Sequence, residues 1–163
     1  TDFDLWPETS KMILVLLMFI GACAGSTGGG FKISRLLILC KAIPKQLSLV
    51  IHPREVKVIR MDGKPIDHNT LRSTNVYLAI YFFILLVSTL LISVDNFNLT
   101  TNFTAVASTL NNIGPGLDGV GPTRNFGMYS DFSKFVLMFD MLAGRLELYP
   151  LLILFMPSLW RRK

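Results

Sequence analysis

Residues Val76–Val94, VYLAIYFFILLVSTLLISV, run without one charged side chain. An α-helix rises about 1.5 Å per residue, so roughly 20 apolar residues cross the hydrocarbon core of a bilayer. In a soluble protein such a run would need cover on every face, which a chain of 163 residues can hardly supply. The segment is therefore predicted to be a transmembrane helix, within residues 74–95. Two more apolar segments flank it. Ile13–Ala24 lies in a helix expected to begin near Leu5 or Trp6. Phe132–Trp160 is long enough to span but carries Asp140, Arg145, Glu147 and Pro150. Trp6 and Trp160 fall near span ends, where amphipathic aromatics settle at the interface. Only 17% of the residues are charged, against about 25% in ordinary soluble domains. The chain starts at Thr1 with no basic, cleavable leader in view, and is expected to be a fragment of a longer one.

The basic residues set the topology. Lys32, Arg35, Lys41, Lys45, Arg54, Lys57, Arg60, Lys64 and Arg72 fall in one stretch, and the chain ends Arg161-Arg162-Lys163. Between Asp95 and Asp131 the only basic residue is Arg124. The positive-inside rule puts 32–72 and the C-terminus in the cytoplasm and 95–131 outside. Both assignments hold if 76–94 and 132–160 each cross once. The net charge of +5 is then mostly topology and not a nucleic-acid footprint. The expected organisation is a broken transmembrane helix at 1–45, a basic cytoplasmic segment at 46–73, a span at 74–95, a re-entrant helix with an external loop at 96–131, and a last span with a basic end at 132–163. Within the cytoplasmic segment, Val56–Ile66 alternates like a strand and holds the turn signal Asp62-Gly63, which suggests a short hairpin.

Residues 100–112, TTNFTAVASTLNN, suit a helix but are too few and too polar to span. Thr100 or Thr101 is the expected cap. The segment runs into Ile113-Gly114-Pro115-Gly116, which stops a helix. Non-helical backbone at membrane depth is tolerated only where it is buried in protein or lines a water-filled cavity. A re-entrant helix followed by a glycine segment therefore points to a pore, and the rival reading is an amphipathic helix lying flat outside. A potassium filter replaces the water shell of the ion with backbone carbonyls. Asn112, Ile113 and Gly114 are the candidates to supply them. The helix C-terminus aimed at them favours a cation. Gly114-Pro115-Gly116-Leu117-Asp118-Gly119 also matches a dinucleotide fingerprint letter for letter, but it lacks the strand before and the helix after that such a site requires.

Gly21-Ala22-Cys23-Ala24-Gly25-Ser26-Thr27-Gly28-Gly29-Gly30 falls near mid-membrane. Its glycines disfavour helix by up to about 1 kcal/mol each relative to alanine. A loop facing the ion path is expected there, with Gly21, Gly25, Ser26, Thr27, Gly28, Gly29 and Gly30 as gating candidates. The phosphate-loop alternative fails because Phe31-Lys32 stands where Lys-Ser/Thr should follow. Arg145, in Gly144-Arg145-Leu146-Glu147, lies about 22 Å from Trp160 at helical rise. Charges at that depth face a bundle interior or a cavity. Its candidate acceptors are carbonyls of the glycine loop, Asp140, or another repeat. Cys23 and Cys40 form no disulfide framework. His52 and His68 have no partner at metal-ligand spacing. No nucleophile–base pair appears, so an enzyme is not expected, and neither is a cofactor or a resident metal.

Together GACAGSTGGGFK, HPREVKVIRMDGK, TLNNIGPGLDGVGP and MLAGRLELYPLLILFMPSLWRR resemble the C-terminal third of TrkH-type proteins in the Trk/Ktr/HKT potassium transporter superfamily. The resemblance covers essentially the whole chain. It implies an all-α membrane fold with four non-identical helix–pore-loop–helix repeats. Residues from about Leu5 to Lys45 would be the second helix of the third repeat, and those from about Thr74 to Trp160 the fourth repeat. It also implies that Asn112, Ile113 and Gly114 are a quarter of a K⁺ filter, that Gly21–Gly30 is the loop below it, and that Arg145 helps hold that loop closed. The implied partners are membrane lipid, the remaining repeats, a second copy of the chain and a nucleotide-binding cytoplasmic regulatory subunit of the TrkA type, with no nucleic acid. The implied location is the bacterial plasma (inner) membrane. The alternatives are a non-conducting membrane scaffold, with the glycines serving close helix packing, and a homotetrameric channel with one repeat per chain. The TVGYG pattern typical of such channels is missing.

Overall fold

A computed structural model describes residues 1–21, 23, 29–52, 59–61 and 64–145. A 3-10 turn, Phe3–Leu5, leads into α1 (Glu8–Ile20), followed by α2 (Ile33–Ile51). A two-residue antiparallel ladder pairs β1 (Arg60–Met61) with β2 (Lys64–Pro65). Then come α3 (His68–Ile92), α4 (Leu99–Leu110) and α5 (Asp131–Arg145). The fold is mostly helical.

The start of α1 lies later than Leu5 or Trp6. A proline disfavours the helical conformation in the residue before it, and Trp6 is accordingly extended. Pro7 caps the helix instead, its carbonyl accepting from the N–H groups of Ser10 and Lys11 at 2.9 and 3.2 Å. The break between α1 and α2 opens at Gly21, whose φ of +69° ends α1, and closes at Lys32, itself left-handed at φ 63°. α2 runs past Lys45 to Ile51, with Pro44 inside it. Pro44 sits on an exposed side of the helix. This ladder lies within the alternating stretch 56–66, of which 56–58 and the turn residues Asp62 and Gly63 lie outside the described residues. Lys41 Nζ donates to the Arg60 carbonyl at 3.0 Å, and Ile38, Ala42, Ile59 and Leu71 form a small core beside it.

Among the described residues, α3 is the helix long and apolar enough to cross a membrane. Its composition is apolar all round, yet one stripe is buried: Tyr77, Tyr81, Leu85, Ser88 and Ile92. Those positions recur every three or four residues, the spacing of one helix face. Phe82, Phe83, Leu86 and Leu90 point away and are exposed.

α4 sits at the centre, against α1, α3 and α5. Thr101, Asn102 and every residue from Thr104 to Leu110 are buried. A helix lying flat on a surface would keep its polar face in water. Here the polar face is inside, and its hydroxyls are satisfied locally. Thr104 donates to the Thr100 carbonyl at 2.8 Å, and Ser108 and Thr109 both donate to that of Ala105, at 3.0 and 2.9 Å. Asn102 takes a bond from the Tyr129 hydroxyl at 2.9 Å. That burial counts against a helix lying flat on the surface.

Candidate functional site

The cap of α4 is Asn98, neither Thr100 nor Thr101. Its side-chain oxygen accepts the Thr101 N–H at 2.7 Å, while its amide donates to the Asp118 carboxylate. One asparagine thus starts the helix and holds the turn beyond the glycine segment. The helix also stops earlier than Gly114-Pro115-Gly116 would stop it. Asn112 adopts a left-handed φ of 55°. The Ile113 N–H returns to the Ser108 carbonyl at 2.9 Å and the Asn112 N–H to that of Thr109 at 3.0 Å. This is a Schellman end, with asparagine where glycine is commoner.

The chain emerges from that end in an exposed stretch. Ile113 is 44% exposed, with a groove on either side. One, of about 470 Å³, is lined in part by Ser108, Thr109, Asn112, Gly114 and Met141. The other, of about 270 Å³, is lined in part by Leu14, Leu17, Met18 and Pro115. Gly114 has φ +117°, which L side chains rarely adopt, and a Cβ there would meet nothing within 4 Å. Glycine is required at this position by the backbone and not by crowding. The negative end of the α4 dipole lies directly before this stretch.

Beyond Pro115 the backbone is held tightly. Thr104 Oγ1 accepts the Leu117 N–H at 3.0 Å, and Thr101 Oγ1 accepts the Gly119 N–H at 3.2 Å. The Gly116 N–H goes to the Val120 carbonyl at 2.8 Å. The Asp118 N–H goes to Asp4 Oδ1 at 3.1 Å, from the turn ahead of α1.

On its other side, the end of α4 meets the neck of the glycine loop. A Cβ on Gly29 would lie 2.7 Å from the Asn111 carbonyl oxygen, and one on Gly30 would lie 2.7 Å from Asn111 Oδ1. A Cβ on Gly21 would come within 3.0 Å of the Lys32 nitrogen. The loop therefore leaves and re-enters at one point, pressed against the residues that precede the glycine segment. Tyr81 donates to Asn111 Oδ1 at 2.9 Å, and Phe31, Tyr77 and Tyr81 pack ring to ring beneath. Gly25, Ser26, Thr27 and Gly28 lie outside the described residues. Arg145 ends α5 with an exposed side chain, so its expected contact with that loop is not among the described ones. Glu147 and Trp160 also lie outside.

α5 crosses the end of α4 at Gly144. A Cβ there would fall 1.8 Å from the Leu110 carbonyl oxygen, so the crossing requires glycine. Asn112 Nδ2 donates to the Met141 carbonyl of α5 at 3.1 Å. Further along α5, Asp140 is fully buried and accepts from Ser88 of α3 at 2.7 Å. The structure thus brings Asn112, Ile113, Gly114, Gly29 and Gly30 together. It adds residues the sequence did not single out for the site, Asp4, Tyr81, Asn98, Thr104, Asn111 and Gly144, and gives Thr101, expected as a cap, the role of acceptor for Gly119. For Gly144 the signal was a glycine inside an apolar helix. For Asn98, Thr104 and Asn111 it was only the run of hydroxyls and amides around α4, and for Asp4 and Tyr81 there was none.

Residues 1–162 match the family described as "TrkH: Cation transport protein". The Trk system potassium uptake protein TrkH of Vibrio parahaemolyticus is 38% identical over 161 residues, 99% of this chain and 33% of that protein. TrkH of Escherichia coli (strain K12) is 37% identical over 156 residues, 96% of this chain and 32% of that protein. The crystal structure of the potassium transporter TrkH from Vibrio parahaemolyticus superposes with a TM-score of 0.88 at 38% identity, covering 99% of this chain and 34% of that one. The chain spans about a third of the length of the curated relatives it matches.

Proposed function

Because the chain belongs to the TrkH family of cation transport proteins, we propose that it forms the C-terminal third of a potassium uptake protein and supplies one quarter of its ion path. Its all-α fold is that of a solved TrkH structure. The family is one of transport proteins, in line with the expectation that the chain is not an enzyme. The observation that carries the reading is the pairing of a short helix, buried from Thr104 to Leu110, with an exposed Ile113-Gly114 step beyond its C-terminus.

In this proposal the carbonyls of Asn112, Ile113 and Gly114 replace part of the hydration shell of K⁺, and three other segments of the full-length chain complete the ring. The α4 dipole lowers the energy of the cation there. The Gly21–Gly30 loop lies below the filter, its neck against Asn111, and closes the path with Arg145 as the donor that holds its carbonyls. The full-length protein sits in the bacterial inner membrane, with residues 32–72 and the C-terminus in the cytoplasm. It pairs with a second copy and meets a nucleotide-binding regulatory ring of the TrkA type on that face. The test is rubidium uptake into liposomes that hold the full-length protein. Uptake that K⁺ competes away and Na⁺ does not is expected. Absence of uptake by folded protein favours the non-conducting scaffold.

A further inference from the structure

The outer end of the glycine segment poses an accounting problem. Four consecutive N–H groups, from Gly116 to Gly119, turn away from any ladder and each needs an acceptor. Three are met within residues 98–121: by the Val120 carbonyl for Gly116, by Thr104 for Leu117 and by Thr101 for Gly119. The fourth, on Asp118, is not. Asp118 is also the strained position, a non-glycine residue at φ 56°. Its own carboxylate is taken by the Asn98 amide and the Thr101 hydroxyl. The acceptor comes from Asp4, 114 residues earlier in sequence.

Two facts mark this contact as built. Asp4 is itself fixed, its N–H donating to Asp2 Oδ1 at 3.1 Å in the 3-10 turn. Gly121 has φ −63° and ψ 179°, a conformation open to any residue. A Cβ on Gly121 would nevertheless lie 1.8 Å from Asp4 Oδ2. Glycine at 121 thus makes room chiefly for the carboxylate, and its φ and ψ demand no glycine; a Cβ there would also lie 3.1 Å from the Asp118 carbonyl oxygen.

We infer that Asp4 is a positioning residue for ion selection: it clamps the outer end of the 112–116 segment from the α1 side, opposite the hydroxyls of α4, and so sharpens discrimination of K⁺ from Na⁺. The inference rests on reading 112–114 as filter. Asn112, locked by the α4 end, fixes the inner end of the segment. Asp4, Thr101 and Thr104 fix the outer end, and among the described residues only Asp4 hydrogen-bonds it to the turn ahead of α1. A carbonyl ring held at both ends keeps the spacing that suits one ion, and a ring freed at one end adapts to both.

Asp4 also lines an outer hollow with Glu8, Lys11, Thr100, Asp118 and Arg124, so its charge acting on ions at the mouth is the competing explanation. The test separates the two. The full-length protein is reconstituted as wild type, Asp4→Ala, Asp4→Asn, Gly121→Ala and Asp4→Ala/Gly121→Ala, with Gly114→Ser as reference. The assay is rubidium uptake in competition with Na⁺. Losing one hydrogen bond predicts that Asp4→Ala reduces K⁺ preference about fivefold, while Asp4→Asn, which keeps the acceptor oxygen, stays within about twofold of wild type. Gly121→Ala pushes the carboxylate aside and should match Asp4→Ala. Adding it to Asp4→Ala should change much less than it does alone, because both act chiefly on one contact. Wild-type selectivity in Asp4→Ala overturns the inference. So does an Asp4→Asn loss equal to that of Asp4→Ala, which assigns the effect to charge. If Asp4→Ala does not fold, Gly121→Ala decides alone, and unchanged selectivity overturns the inference. If Gly114→Ser is also indistinguishable from wild type, the filter reading has failed and not the Asp4 clamp alone.

Discussion

Gly144→Ala places a methyl group where α5 lies on the end of α4. The new Cβ would sit 1.8 Å from the Leu110 carbonyl oxygen and 2.8 Å from Asn112 Nδ2. Real Cβ contacts essentially never fall below 3.0 Å, so the two helices must part by about 1.2 Å at this point. The neighbour is backbone inside a buried helix and cannot rotate away. Such overpacking costs about 1–3 kcal/mol. The displacement also breaks the Asn112–Met141 hydrogen bond, worth about 1 kcal/mol. Better helix propensity returns about 1 kcal/mol. The net expectation is a loss of about 1–3 kcal/mol. Because Asn112 turns the chain into the glycine segment, uptake should fall with stability. The assay is thermal unfolding of the full-length protein in detergent, alongside rubidium uptake into liposomes. Unchanged unfolding and unchanged uptake would refute the close crossing.

Three further expectations follow from the same packing. Asp140 Oδ2 has no hydrogen-bond partner among the described residues, so Ser88→Ala, which removes the donor to Oδ1, should destabilise by about 1–3 kcal/mol. Adding Asp140→Leu should recover stability, and thermal unfolding of the single and double variants checks both. Asp95 accepts the Ser130 N–H at the start of α5 at 2.9 Å. Asp95→Ala removes that acceptor and should lower the thermal midpoint, and an unchanged midpoint would count against the bond. Tyr81→Phe strips a donor from buried Asn111 Oδ1 and should cost about 1–3 kcal/mol of stability, again read by thermal unfolding.

What the sequence displayed was local chemistry at the scale of one segment. Val76–Val94 announces α3 because nineteen positions share one property, but the helix starts at His68, where polar residues continue the same backbone bonds. The glycines of 114–116 announce an irregular segment. They do not say where α4 ends, because Asn112 is among the few non-glycine residues that tolerate a left-handed turn. The cap at Asn98 was missed because two threonines nearby also serve as caps, although asparagine ranks above them. What distinguishes Asn98 is its second bond to Asp118, formed only after folding. Asp4 was invisible for the same reason, since its partner lies 114 residues away. Gly29 and Gly144 were read as loop flexibility and as a neighbour of Arg145. The structure gives both a steric reason, the close approach of backbone to Asn111 and to Leu110.

The filter assignment is tested most directly by the relative permeability of K⁺ and Na⁺ through full-length Gly114→Ser protein. Gly114 holds φ +117°, and a side chain there meets open space. The substitution therefore strains the backbone without disturbing the packing around it. Reduced preference for K⁺, with protein yield and unfolding temperature like wild type, is the predicted result. A permeability ratio equal to that of wild type would contradict the account.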